Sequence, residues 1–136
     1  MKYMGVKFIL LLFSLTAVVL VSGCTQYGKE PVTESAPVEG NVIEITSYGF
    51  SPDTLIINAG ATVIYVNKDT LNHWPASDPH PGHNQYPETG GCIASKFDAC
   101  RALSRNDTFS FKFNQTGTWT YHDHLNSKLT GTIVVQ

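Results

Sequence analysis

Residues 108–135 read TFSFKFNQTGTWTYHDHLNSKLTGTIVV and carry the clearest signal of the fold class. The first six residues alternate strictly between polar side chains and phenylalanine, which is typical of a β-strand with one buried face. The turn-forming residues 114–117 lead into a second β-prone run at 118–121, and residues 131–135 make a third. Short strands separated by Gly and Asn turns predict an all-β protein, an antiparallel sandwich or barrel.

The same pattern precedes this stretch. Strand-like runs occur at residues 42–45, 54–57 and 62–66, and no segment shows a helical period over a normal helix length. Residues 72–105 break the pattern, since they contain four of the seven prolines and little periodicity. We interpret them as a long, ordered loop excursion that covers one end of the sandwich, because irregular segments of this length in compact domains usually have a function.

The N-terminus is typical of an exported protein. Residues 8–21 form an apolar run that follows Lys2 and Lys7 and is too short for a comfortable membrane span. We interpret residues 1–23 as a signal peptide. Residues 21–24, VSGC, resemble the lipobox of exported lipoproteins, in which Cys24 becomes the lipidated first residue. Ordinary secretion with a fortuitous cysteine is the alternative.

We therefore expect residues 24–40 to be a lipidated cysteine and a flexible linker, and residues 41–136 to be the folded domain. The domain would be anchored through lipid to the outer side of the cytoplasmic membrane, in the periplasm or at the cell surface. The net charge of −2 becomes more negative when the leader and its lysines are removed. Such a balance argues against nucleic-acid binding, and we expect a monomer.

The two cysteines that remain after Cys24, Cys92 and Cys100, predict a disulfide in an exported protein. In the chain-entropy picture, a bridge closing so short a loop stabilises the fold by about 2.5 kcal/mol. A pair of metal thiolates is the alternative, although seven intervening residues match no common zinc spacing.

The histidines indicate where the chemistry lies. All five fall between residues 73 and 124, in the loop or at predicted strand ends, and loops at one end of a sandwich converge. Imidazole and carboxylate suit copper(II), zinc or iron better than copper(I). The alternative is a set of polar loop residues, each paired with backbone or water. The candidate metal ligands are His73, Asp123 and His124, with His80, His83 and His122 as auxiliary candidates.

Two halves of the chain resemble the cupredoxin family. The front half contains YGFSP at residues 48–52, INAGATV at 57–63, and Asn67 followed by His73. The back half contains GTWTYHDH at residues 117–124 and GTIVV at 131–135. The match covers nearly all of residues 41–136. The resemblance implies a cupredoxin-like Greek-key β-sandwich with a copper site at one end, used for copper handling or electron transfer.

The chain departs from the family at the ligands. Blue-copper members place a His early, then Cys, His and Met in the last inter-strand loop. The early His73 is kept, but Asp123, Asn126 and Leu129 occupy the later positions, and both methionines lie in the leader. A trigonal His₂Cys site with an axial thioether cannot form. The resemblance therefore implies a non-blue site, with Asp123 in place of the thiolate.

Two functions follow from these residues. In the first, a His/Asp site binds copper, with zinc as the other candidate, and a redox or copper-transfer protein is the partner. In the second, the sandwich is a metal-free binding module in which Asp123 accepts hydrogen bonds from His73 or a backbone N–H. We expect no enzyme, since the sequence shows no separate general base, nucleophile elbow or phosphate loop. The sequons at Asn106 and Asn114 are interpreted as turn residues.

Overall fold

The structure, a computed structural model, describes residues 40–136. The predicted signal peptide, Cys24 and the linker as far as residue 39 lie outside the described residues. Within the described part the chain is all-β, and no helix is present that could cross a membrane. The eight strands are β1 (Val42–Thr46), β2 (Gly49–Ser51), β3 (Thr54–Ile57), β4 (Ala61–Asn67), β5 (Pro75–Ser77), β6 (Thr108–Phe113), β7 (Gly117–Asp123) and β8 (Asn126–Val135).

The strands form two sheets packed as a sandwich, with orders β2-β1-β4-β6 and β3-β8-β7-β5. The predicted all-β sandwich is confirmed. The sheets are mixed rather than purely antiparallel, because β1 pairs with β4 and β3 pairs with β8 in parallel. These pairs arise because the chain crosses from one sheet to the other between β2 and β3 and again between β3 and β4. Parallel neighbours need such crossovers, so the sequence-based expectation of a purely antiparallel sandwich or barrel is corrected in this respect.

Alternating side chains from both sheets fill the core. In β4, Val63 and Tyr65 are fully buried, and in β8 Ile133 is fully buried as well. Tyr65 packs edge-to-face against Tyr121 of β7, with ring centroids 5.4 Å apart. Aromatic pairs of this geometry add about 0.5–1.5 kcal/mol beyond the area they bury, so the inner face of β7 is held firmly.

The long loop between β5 and β6 is ordered and completes the core, as the sequence predicts. Tyr86 and Phe97 are buried, and Phe97 lies 4.8 Å from Phe113 between ring centroids. The segment near Phe97 also lies along β5, because the Ser77 N–H donates to the Phe97 carbonyl at 2.8 Å. The predicted disulfide between Cys92 and Cys100 is present and closes the tip of this loop.

The last hairpin differs from the sequence prediction. Residues 131–135 were expected to form the whole final strand, but β8 begins at Asn126, which pairs with Asp123 across a two-residue turn. The register then shifts, and His122 pairs with Thr130. The irregularity is a β-bulge, which lets β8 resume pairing with β7 after residues 127–129. No long loop separates the two strands.

We predict that Gly131→Ala destabilises the domain by about 1–3 kcal/mol, the usual range for overpacking a core. Gly131 pairs with Tyr121, and a Cβ at this position would overlap the Tyr121 ring. Chemical denaturation measures the change. Gly82→Ala is the control, since its Cβ would meet nothing nearer than 3.7 Å. Equal stability of the two variants would show that the Tyr121 ring moves aside freely.

Candidate metal centre

Four imidazoles converge beside the β7–β8 hairpin. One ring nitrogen from each of His80, His83, His122 and His124 lies within 4.8 Å of the others. His83 Nε2 is 2.9 Å from His124 Nδ1, and His80 Nδ1 is 3.3 Å from His122 Nε2. We call these residues the four-histidine cluster.

The four-histidine cluster has the dimensions and chemistry of a metal site. Imidazole nitrogens bind zinc at about 2.0–2.1 Å, so two nitrogens sharing one ion lie about 3 Å apart. Both short separations in the cluster match that spacing. Imidazole suits zinc, copper, iron and nickel. The residues present therefore fit a transition-metal ion.

Strand alternation places the four-histidine cluster on the outer face of the β7 sheet. Tyr121 points into the core, so His122 points the other way. Ala76 of β5 is the cross-strand partner of both His122 and Asp98, which puts these three side chains in one row. The loop that follows β5 lies over this row and supplies His80 and His83.

Backbone hydrogen bonds hold the covering loop and the hairpin in position. The His83 N–H donates to the Pro79 carbonyl at 2.9 Å, and the His83 carbonyl accepts from Ser95 N–H at 2.8 Å. The His124 N–H donates to the Trp74 carbonyl at 2.7 Å. The indole of Trp74 also packs against the His124 ring, with centroids 4.6 Å apart.

Two carboxylates orient two of the rings. His83 Nδ1 donates to Asp98 Oδ2 at 2.7 Å, and His122 Nδ1 donates to Asp78 Oδ1 at 2.7 Å. A proton held on Nδ1 leaves Nε2 with its lone pair, and in both residues Nε2 faces the cluster. Carboxylate–histidine pairs of this kind are the usual second shell of histidine metal ligands.

Burial also favours the neutral, metal-binding form of the rings. It lowers the pKa of His122 by penalising the charged imidazolium, and the His83 and His80 rings act in the same direction against the Asp78 carboxylate. It likewise lowers the pKa of His124, again with His83 and His80 contributing. Both rings therefore favour the neutral form at neutral pH.

His73 and Asp123 lie outside the four-histidine cluster. They were expected to share a site with His124, but His73 Nδ1 donates to Asp123 Oδ2 at 2.8 Å, and His73 Nε2 lies 3.2 Å from Asp69 Oδ2. Asp123 Oδ1 accepts backbone N–H groups from Trp74 at 2.7 Å and Leu125 at 3.1 Å. Both ring nitrogens of His73 and both oxygens of Asp123 have hydrogen-bond partners, so an ion at either residue would have to compete with these bonds.

The auxiliary candidates His80, His83 and His122 are the ones that gather with His124. The structure also brings Asp98 within ligand distance of Cys92 and Cys100, but those sulfurs are bonded to each other. Sequence reasoning missed Asp78 and Asp98. Their histidine partners lie 44 and 15 residues away along the chain, so local spacing carried no signal for them.

Comparison with known proteins supports the fold assignment. No protein-family model and no curated protein matches the chain. Many solved structures do match, and cupredoxins are among them. The described domain thus has the cupredoxin fold, as the sequence resemblance implied.

Two of these structures illustrate the likeness. A purple cupredoxin from Nitrosopumilus maritimus is 22% identical, with a TM-score of 0.57 over 70% of this chain and 98% of that one. A reduced amicyanin, a mutant in which tyrosine replaces a tryptophan, is 19% identical, with a TM-score of 0.57 over 75% of this chain and 87% of that one. Identities this low establish the fold, and the function has to be argued from the residues of this chain.

We predict that Asp123→Ala lowers the free energy of unfolding by about 3 kcal/mol, because it leaves the buried His73 ring and the part-buried N–H groups of Trp74 and Leu125 without their acceptor. Urea denaturation measures the loss. Asp107→Ala is the control, since Asp107 bonds to Arg101 at 3.0 Å at the surface, and exposed pairs contribute about 1 kcal/mol or less. Equal losses for the two variants would contradict a supporting role for Asp123.

Proposed function

We propose that this protein binds one transition-metal ion, copper(II) foremost, through His80, His83, His122 and His124, and that it handles copper outside the cytoplasm. The observation that carries the proposal is the convergence of four imidazole nitrogens within 4.8 Å, two of them oriented by carboxylates. When bound, the ion would supply a positively charged centre to which these nitrogens donate their lone pairs.

The donor set favours copper(II) among the candidate ions. Nitrogen sites generally bind divalent copper more tightly than divalent zinc, and copper(I) prefers sulfur. The described residues provide no thiolate, since Cys92 and Cys100 form a disulfide, and their sequence contains no methionine. Zinc remains the second candidate, because four imidazoles can also bind zinc tetrahedrally.

The same donor set supports copper handling over fast electron transfer. The blue-copper arrangement needs a thiolate and a weak axial thioether, and its potential depends on them. A site of imidazoles alone stabilises copper(II) and disfavours rapid cycling to copper(I). We propose a carrier or a store of the ion, without a catalytic role, that exchanges copper with another protein.

The proposed location outside the cytoplasm rests on the sequence. The apolar run at residues 8–21 and the VSGC motif support export and lipidation of Cys24. A single acyl-linked cysteine followed by a polar linker would keep a monomeric domain near the membrane surface while leaving it mobile. The protein would then contact the membrane only through this lipid anchor.

We predict that Cys24→Ala moves the full-length protein from the membrane fraction to the soluble exported fraction of expressing cells. Lipid attachment would be lost, and the remaining apolar segment is too short to span a bilayer comfortably. Fractionation with detection of the folded domain measures the change. Wild-type protein already in the soluble fraction would contradict lipidation and favour ordinary secretion.

We predict that the wild-type domain binds one copper(II) ion and that His122→Ala abolishes tight binding. His122 is fully buried and is one of the two rings that a carboxylate orients, so the variant loses a fixed nitrogen ligand. Isothermal titration measures stoichiometry and affinity, and electron paramagnetic resonance identifies nitrogen ligands. Copper that binds the native state alone should also raise the melting temperature.

His73→Gln is the matched control, since this histidine is buried but lies outside the four-histidine cluster. It should lower stability and still bind one ion per folded molecule. Loss of binding in His73→Gln with retention in His122→Ala would instead place the ion at His73 and Asp123. No uptake of copper or zinc by the wild type would favour the metal-free binding module.

A further inference from the structure

We infer that the four-histidine cluster consists of two unlike pairs, an inference that rests on the proposed function. His83 and His122 form a fixed base for the ion. His80 and His124 form an exchange face, through which the ion passes to an acceptor with nitrogen, oxygen or sulfur donors. His80 is the ligand that leaves first.

The two pairs differ in the hydrogen bonds that support each ring. His83 and His122 each donate from Nδ1 to a carboxylate at 2.7 Å. Within residues 40–136, neither His80 nor His124 has a hydrogen bond to a carboxylate, and each turns Nδ1 itself toward the cluster. Rings held by a second shell keep their geometry without the ion, whereas unsupported rings can rotate away.

Burial divides the four rings in the same way. His83 and His122 are 0% and 1% exposed, while His80 is exposed and His124 is half-buried. An incoming ligand can therefore approach the ion only past the second pair. The greater exposure of His80 and His124 and their lack of a carboxylate partner both indicate that these two are the replaceable ligands.

The two pairs contact each other directly in the structure. Nδ1 of His124 lies 2.9 Å from Nε2 of His83, and Nδ1 of His80 lies 3.3 Å from Nε2 of His122. Each ring of the fixed base is therefore in hydrogen-bonding distance of one ring of the exchange face.

The two histidines of the exchange face differ in how firmly they are held. The His124 backbone N–H bonds to the Trp74 carbonyl at 2.7 Å, and its ring packs against the Trp74 indole. His80 lies between Pro79 and Pro81 on the exposed surface of the loop, and the aromatic rings that it contacts are those of the other three histidines. His80 is therefore the ring with the weakest support, and it is the ligand that dissociates first.

The test is the transfer of copper(II) from the loaded protein to excess nitrilotriacetate, followed by stopped-flow absorbance, with the affinity measured separately. His80→Ala should still bind one ion, on the order of tenfold more weakly, with faster transfer and one nitrogen fewer in the paramagnetic resonance spectrum. His83→Ala should lose affinity by at least about a hundredfold, since a fixed ligand and its carboxylate support are lost together. Asn84→Ala, exposed on the same loop, should transfer copper at the wild-type rate.

The outcomes separate this inference from the function on which it rests. Equal losses of affinity in His80→Ala and His83→Ala, or unchanged transfer in His80→Ala, would overturn the two-pair arrangement while copper binding stands. Transfer that Asn84→Ala accelerates as much as His80→Ala would likewise overturn it, because loop mobility would then explain the rate. Wild-type protein that takes up no copper would remove the proposed function itself.

Discussion

The alternation of side chains along β7 is the constraint on which the rest of the molecule depends. Tyr121 points inward and contacts Phe50 and Tyr65, with centroids 4.7 and 5.4 Å away, and the next residue points outward. Because Tyr121 faces the core, the next side chain, His122, lies on the opposite face of the sheet. A shift of one residue in register would exchange the two faces and lose both the aromatic core and the four-histidine cluster.

Three histidines of the domain are buried, and each is paired with an aspartate: His73 with Asp123, His83 with Asp98, and His122 with Asp78. The three histidines share this pairing with an aspartate, but they differ in the partner of the second ring nitrogen. For His83 and His122 it meets another imidazole, and for His73 it meets Asp69. Asp98 also accepts from the Trp74 indole at 2.6 Å and the Cys100 N–H at 2.8 Å, so the disulfide loop takes part in orienting His83.

The sequence allowed the strands, the sandwich and the ordered loop to be predicted, because alternation and turn residues are local signals. The clustering of histidines near one end was also predictable from their positions in the chain. Which of the histidines gather at one site was not predictable, since this depends on pairs such as His122 with Asp78, which are far apart in sequence. The family resemblance implied His73 and Asp123 as ligands, whereas His122, which joins the cluster, lies on the opposite face of the strand that carries Asp123.

At the interior end of the sandwich the buried polar groups are already paired with one another. There Asn67 donates to the carbonyls of Leu71 and Leu103, both at 2.8 Å, beside the bonded pair of His73 and Asp123. These buried polar groups already have partners, and an ion entering among them would have to break bonds that are costly to leave unmade. In the four-histidine cluster the close contacts join one imidazole to another, and imidazole is a common ligand of transition metals. The short turn between β7 and β8 adds to this difference, because it leaves no room for a ligand loop at the interior end and brings His124 round to the outer face.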